Sequence, residues 1–98
     1  MKCIFSERAA RDLEEIGDYI ARDNPPRARN YIQELRARCQ KITGKPGAPL
    51  IVDRIGDLPV RKVLFGRYRI YYAWHHEQDV IVILHIRHGA RSEPEFGS

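Results

Sequence analysis

The residues best suited to chemistry lie in the C-terminal half of the chain. Three runs there are rich in valine, isoleucine, tyrosine and tryptophan, and as strands they would place five polar side chains on one exposed face. These are Lys62, Arg69, Tyr71, His85 and Arg87. Cations on adjacent strands suit an anionic partner such as a phosphate or an acidic protein segment. An imidazole and a phenol can also transfer protons, although ordinary cross-strand packing is the simpler interpretation of Tyr71.

The strands that must position these residues form a predicted antiparallel meander. β-Branched and aromatic residues dominate each run, and short polar turns separate the runs. The predicted strands cover residues 60–65, 68–76 and 80–88.

The two turns set the register of the meander. If Gly66-Arg67 is a two-residue turn, Lys62 lies opposite Tyr71. A three-residue turn at residues 77–79 gives the last strand an apolar core side. That side consists of Val80, Val82, Leu84 and Ile86. A slip of one residue in this register would instead bury His85 and Arg87.

Two amphipathic helices are predicted before the meander. Ser6 is suited to cap the first, whose apolar residues recur with a helical period until about Asp23. Asn24 and Pro25 then favour a restart, and the second helix runs to about Thr43. The short connection makes the pair an antiparallel hairpin whose apolar stripe can cover a sheet.

The remaining segments complete the predicted fold. Residues 2–5 are apolar and β-prone, and they favour an edge strand. The glycine- and proline-rich stretch at residues 44–58 favours a loop, with a brief extended segment at residues 50–52. The sequence therefore predicts an α+β fold in which the helix hairpin packs on a mainly antiparallel sheet of four strands.

Composition limits the class of protein. The 98 residues suffice for one domain, and the net charge of +4 is concentrated in residues 24–69, which carry 11 basic and 3 acidic side chains. Two isolated cysteines without a signal peptide favour a reducing cytoplasm. No apolar run approaches the roughly 20 residues that cross a bilayer, so no membrane association is expected.

Metal and nucleophile chemistry are both disfavoured by spacing. The four histidines form pairs whose members alternate between opposite faces of a strand, so they do not converge on one ion. No pattern typical of a nucleophilic serine or of a phosphate-binding glycine loop occurs. We therefore assign no metal site, no cofactor and no catalytic residue.

The order of predicted elements, with two sequence phrases, resembles the ParE/RelE superfamily of bacterial toxins. The phrases are Gly66-Arg67-Tyr68-Arg69-Ile70-Tyr71-Tyr72 and His85-Ile86-Arg87-His88-Gly89-Ala90-Arg91. The resemblance covers nearly the whole chain. It implies a toxin of a type II toxin–antitoxin module, with residues 1–92 as the toxin domain and residues 93–98 as a tail. Gly97-Ser98 is typical of a cloning remnant, and we assign residues 95–98 no functional role.

The superfamily divides by target, and the resemblance favours its ParE-like branch. RelE-like members cut messenger RNA on the ribosome, and Lys62 and Arg69 match two of their basic positions. However, Glu95 stands where their C-terminal tyrosine is expected, and Gly89 stands where another basic residue is expected. ParE-like members inhibit DNA gyrase without this catalytic set and commonly end the last strand with His-x-x-Arg, here residues 88–91.

The resemblance therefore implies a gyrase inhibitor, with a RelE-like mRNA endonuclease as the alternative. The residues expected to bind the target are Lys62, Arg69, Arg87, His88 and Arg91. The implied partners are gyrase and a ParD-like antitoxin, and DNA would be contacted only through the antitoxin. In the endonuclease alternative, His85 or His88 would transfer the proton. A third hypothesis is a non-toxic binding module that has kept the fold alone.

Overall fold

The computed structural model describes residues 1–96, which form a helix hairpin on a five-stranded sheet. The elements in chain order are β1 (Lys2–Phe5), α1 (Glu7–Ala21), α2 (Pro25–Lys41), a 3-10 turn (Ile42–Gly44), β2 (Ile51–Ile55), β3 (Leu58–Phe65), β4 (Tyr68–His75) and β5 (Val80–His88). The strand order is β1-β5-β4-β3-β2; β1 runs parallel to β5, and the other pairs are antiparallel. The predicted α+β class is confirmed.

Both helices begin at the predicted caps. The hydroxyl of Ser6 accepts a hydrogen bond from the backbone N–H of Ala9 at 3.1 Å and donates one to the carbonyl oxygen of Leu84. It thereby satisfies an N–H that no helical carbonyl can reach and ties α1 to β5. The side chain of Asn24 accepts from the backbone N–H of Arg27 at 3.1 Å, and prolines occupy the first turn of α2.

The core lies between the helix hairpin and one face of the sheet. Its largest fully buried apolar side chains include Leu35 and Cys39 from α2, Ile70 and Tyr72 from β4, and Ile81 and Ile83 from β5. The phenol of Tyr72 donates to the carbonyl oxygen of Pro46 at 2.6 Å, so its polar end is satisfied. The opposite side of the sheet, away from the helices, is called the open face below.

The sheet has a fifth strand that the sequence analysis assigned to a loop. β2 pairs with β3, with Ile55 opposite Leu58, and Gly56-Asp57 forms the two-residue turn between them. Gly56 has φ +60°, a conformation that glycine adopts without steric cost. A glycine–aspartate pair between two apolar runs is a hairpin signal, and the surrounding prolines and glycines obscured it.

The β4–β5 register agrees with the prediction at one end only. β5 begins with Val80 opposite His75, so the turn has four residues rather than three, and Ile81 and Ile83 enter the core. The prediction that Val80, Val82 and Leu84 face the core is wrong. A β-bulge at Leu84 then restores the predicted alternation, which places Ile86 in the core and His85 opposite Tyr71.

Helix length and composition also bear on membranes. Neither α1 nor α2 is both long and apolar enough to span a bilayer, and the same holds for every helix within residues 1–96.

Candidate functional site

Three of the predicted polar residues meet on the open face around one carboxylate. Nη1 of Arg69 lies 2.7 Å from Oε1 of Glu93, and Nζ of Lys62 lies 3.5 Å from the same oxygen. The hydroxyl of Tyr71 donates to Oε2 of Glu93. We call Lys62, Arg69 and Tyr71 the open-face cluster. Its geometry holds a planar anion through both oxygens, as charge-assisted hydrogen bonds favour.

Glu93 belongs to residues 89–96, which follow β5 and turn back over the open face. These residues begin four positions before the predicted tail and are called the tail below. The guanidinium of Arg69 fixes the path of the tail, because its Nη2 donates to the carbonyl oxygens of His88 and Arg91. The ring of Phe96 packs against Tyr71 with centroids 5.3 Å apart. The tail thus covers the cluster with one charged and one aromatic contact.

Gly89 allows the tail to begin close to the β3–β4 turn. Its backbone N–H donates to the carbonyl oxygen of Arg67 at 2.6 Å. A Cβ at position 89 would lie 3.1 Å from that oxygen, which is tighter than nearly all real contacts. The glycine that stands where the RelE-like pattern has a basic residue therefore has a steric role here.

The open face is buried where the sequence analysis expected exposure. Tyr71 is fully buried, Arg69 and His85 are each 9% exposed, and Lys62 and Arg87 are partly buried. The shared face of the predicted residues follows from their cross-strand pairing, but the tail covers part of it. Phe96, which lies among the residues assigned no functional role, packs its ring against Tyr71. Gly97-Ser98 lies outside the described residues.

The pKa values of Tyr71 and Glu93 are shifted in opposite directions. Burial, followed by the hydrogen bond to Glu93, raises the pKa of Tyr71 to about 12. The hydrogen bond from Tyr71, and then those from the nearby cations, lowers the pKa of Glu93 below its usual value of 4.5. At neutral pH the phenol is therefore protonated and donates, whereas the carboxylate is ionised and accepts.

Acidification is expected to loosen the tail. Because the pKa of Glu93 is lowered in the folded state, its contribution is present above the usual carboxyl pKa and is lost as the pH falls through the lower value. The groups that face it are Lys62, Arg69, Tyr71 and, nearby, Arg87. NMR signals of the Phe96 ring should therefore shift as the pH falls below the usual carboxyl range. Equal shifts in Glu93→Gln would contradict this account.

Pairing with Tyr71 puts His85 on the side of the open face, but its ring is engaged at the edge of β5, away from the open-face cluster. Its Nε2 lies 3.2 Å from Nη1 of Arg87, and its Nδ1 lies 2.6 Å from Oδ2 of Asp12. A guanidinium can only donate, so Nε2 accepts and the ring proton is assigned to Nδ1, toward the carboxylate. Nδ1 forms no directed hydrogen bond within residues 1–96, so this contact is electrostatic.

Asp12 completes this edge. It is 4% exposed, accepts the backbone N–H of Ile86 at 2.9 Å and lies 3.1 Å from Nε of Arg8. The N–H of Ile86 lies beyond the end of β1, which pairs with β5 only as far as Ile83. Asp12 therefore supplies the acceptor that a neighbouring strand would otherwise provide.

A cationic cleft opens beside this network, between the connection of the helices, the β3–β4 turn and the end of β5. Its volume is about 840 Å³. It is lined by the arginines Arg8, Arg22, Arg27, Arg67, Arg87 and Arg91. Three tyrosines also line it, namely Tyr19, Tyr31 and Tyr68. Guanidinium groups lie over aromatic rings in the cleft, and the guanidinium carbon of Arg27 is 5.1 Å from the ring centroid of Tyr31. The wall of the cleft, formed by these residues, is therefore both charged and flat.

The five residues predicted to bind a target fall into two neighbouring sites. Arg87, His88 and Arg91 line the cleft, whereas Lys62 and Arg69 hold Glu93 on the open face. Arg69 and Arg87 are cross-strand partners, so the two sites are adjacent.

Two acidic residues at these sites, Asp12 and Glu93, were not predicted from the sequence. Asp12 carries a signal that could have been used, because it lies three residues after Ala9 and four before Ile16 on the buried stripe of α1. A carboxylate on an apolar stripe requires a partner. Glu93 carries no such local signal, since its partners are 22 to 31 residues away in the chain.

No group of three or more histidine, cysteine, aspartate or glutamate side chains is placed to hold a metal ion within the part of the chain that the structure describes. Both cysteines are unpaired thiols, and burial raises the pKa of Cys39 to about 12.

The sequence model of the family described as ParE toxin of type II toxin–antitoxin system, parDE, matches residues 3–93 of the chain. The chain belongs to the ParE toxin family. A search of curated protein sequences finds no significant match for this ParE-family chain.

Solved structures share the fold of this ParE-family toxin. One is the chromosomal ParDE toxin–antitoxin system from P. aeruginosa, with a TM-score of 0.74, 20% identity, and coverage of 90% of this chain and 95% of that one. Another is the RelBE2 toxin–antitoxin complex from Mycobacterium tuberculosis, with a TM-score of 0.63, 21% identity, and coverage of 89% and 95%. The isolated RelE toxin of E. coli gives 0.59, 19%, and 94% and 87%.

Proposed function

We propose that this toxin inhibits DNA gyrase by direct binding in the bacterial cytoplasm and is neutralised by a cognate antitoxin. The observation that carries the proposal is the state of the open-face cluster. Its cations hold Glu93, its phenol has a pKa of about 12, and His85 is engaged by Asp12 and Arg87. Groups committed in this way are poorly suited to acid–base cleavage of RNA, whereas binding requires no proton transfer.

The cationic cleft supplies the anchors for such binding. Arg87 contacts His85 through one nitrogen, and its buried Nε has no hydrogen-bond partner within residues 1–96. A partly buried guanidinium with unused donors favours a carboxylate of a partner, and a buried arginine anchor contributes about 2 kcal/mol or more. His88 and Arg91 extend the same wall, and we propose that Lys62 and Arg69 support it from the open face.

The same cleft suits an antitoxin. A ParDE system and a RelBE2 complex are among the proteins that share the fold, which supports an antitoxin partner for this chain. Guanidinium groups and tyrosine rings, of which Tyr19 is exposed, fit an acidic amphipathic segment, whose binding would cover the proposed gyrase anchors. DNA would then be contacted only by the antitoxin.

Direct binding tests the proposal. Calorimetry with the purified toxin and the gyrase holoenzyme should give a saturable complex whose affinity falls as the salt concentration rises, because the anchors are charged. Saturable binding to ribosomes together with no heat from gyrase would contradict it. Co-purification from the native operon should return the toxin with its antitoxin, and recovery of the toxin alone would count against the antitoxin partner.

A further inference from the structure

We propose that the open-face cluster is a carboxylate-binding site whose resident carboxylate, Glu93, is replaced by an acidic side chain of the protein target when the toxin binds. The inference rests on the proposed function for the identity of the partner. It assigns the tail a regulatory role: the tail occupies part of the target-binding surface and competes for it.

The site is preformed and specific for a planar anion. Arg69 is nine-tenths buried and is oriented by two backbone carbonyl oxygens, so its Nη1 remains directed at the position of the carboxylate. Lys62 and Tyr71 approach the two carboxylate oxygens from neighbouring strands, and β-sheet pairing fixes the separation of those strands. A site of this kind binds an anion with little reorganisation.

The occupant is held less firmly than the site. The side chain of Glu93 is 55% exposed, and residues 92–96 form neither helix nor strand. Beyond Arg91, the tail is held by the carboxylate of Glu93 and by the ring of Phe96. Exposed ion pairs contribute little to stability, so an incoming carboxylate can exchange with Glu93 at small cost.

The donor set favours an acidic protein segment over a nucleic acid. The donors converge on two coplanar oxygens, with Arg69 and Lys62 on one and Tyr71 on the other. The phenol is protonated at neutral pH and offers a single hydrogen bond to the second oxygen. The ring of Tyr71 is fully buried, with the ring of Phe96 packed against it, so the cluster itself offers no exposed aromatic ring on which a base could stack.

The test uses full-length protein and a small probe. N-Acetyl-glutamic acid α-amide carries one side-chain carboxylate, and dimethyl phosphate represents a phosphodiester. NMR titration follows the Nε signal of Arg69 and the ring signals of Tyr71. Glu93→Gln should bind the carboxylate probe about tenfold more tightly than wild type, because the donors of the site no longer hold a resident carboxylate that competes with the probe. Glu95→Gln is the matched control, since Glu95 is exposed in the same tail, and it should titrate like wild type.

Several outcomes would overturn the proposal. These are equal affinities for wild type and Glu93→Gln, shifts confined to residues of the cleft, or tighter binding of dimethyl phosphate than of the carboxylate probe, which would assign the site to nucleic acid. Adding Lys62→Ala to Glu93→Gln should weaken binding of the carboxylate probe again. An unchanged affinity in the double variant would also contradict the proposal.

Measuring the affinity of wild type and Glu93→Gln for gyrase separates this proposal from the proposed function. If Glu93→Gln gains affinity for the probe and for gyrase by similar factors, both are supported. Glu93→Gln could instead gain affinity for the probe while neither it nor the wild type binds gyrase. In that case the open-face cluster is a carboxylate-binding site, but gyrase is not its partner.

Discussion

Reversing the charge at Arg87, in the variant Arg87→Glu, is expected to abolish gyrase inhibition while the protein stays folded. The guanidinium lies at the junction of the cleft and the open face, opposite Arg69 in the β4–β5 pairing. Loss of an arginine anchor worth about 2 kcal/mol lowers affinity about 30-fold, and the repulsion added by a carboxylate lowers it further. Supercoiling assays over a range of toxin concentrations would measure the loss.

A matched control is available on α2. Arg29 is exposed and does not line the cleft, and Arg29→Glu makes the same change in net charge. That variant should retain most of its inhibition, with a small loss from weaker long-range attraction. If both variants inhibit like wild type and melt like wild type, Arg87 is not an anchor.

Replacing Asp12 with alanine is expected to have the largest effect on stability, a loss of about 2–4 kcal/mol. The substitution removes the acceptor of the Ile86 N–H at a buried position and leaves His85 and Arg8 without their carboxylate. An unsatisfied buried N–H carries its full desolvation penalty, and the edge of β5 beyond its pairing with β1 loses its cover. Urea denaturation at 25 °C would measure the change.

Asp18→Ala provides the comparison within the same helix. Asp18 is exposed on α1, and the substitution should change the free energy of unfolding by no more than about 0.5 kcal/mol. A destabilisation in Asp12→Ala no larger than that of Asp18→Ala would show that β5 does not depend on the buried carboxylate.

Local signals were sufficient for most of the fold. Ser6 and Asn24 cap the two helices through hydrogen bonds of the predicted kind, and the Gly66-Arg67 turn gives the predicted pairing of Lys62 with Tyr71. Each of these features depends on residues close together in the chain or on one tight turn.

The register of β5 and the β2–β3 turn could not be predicted from the alternation of apolar and polar residues. The run from Val80 to Leu84 is apolar at every position, so either register buries a hydrophobic side chain, and a bulge reconciles the two ends of the strand. Gly56-Asp57 was read as part of a loop because glycine and proline are frequent around it.

The candidate site was predicted in its residues but not in its arrangement. Cross-strand pairing brings Lys62, Arg69 and Tyr71 together as expected. Their burial depends on Glu93, whose position is set by a chain reversal after β5 and by the carbonyl contacts of Arg69. Such long-range contacts leave no periodic trace in sequence.

The most direct test of the account measures two activities of one purified sample. A gyrase supercoiling assay and a cell-free translation reaction would be run with the same toxin over the same concentrations. The account predicts that supercoiling is inhibited while translation continues. Arrest of translation with gyrase activity unchanged would contradict it, and would mean that the open-face cluster releases Glu93 to act on RNA.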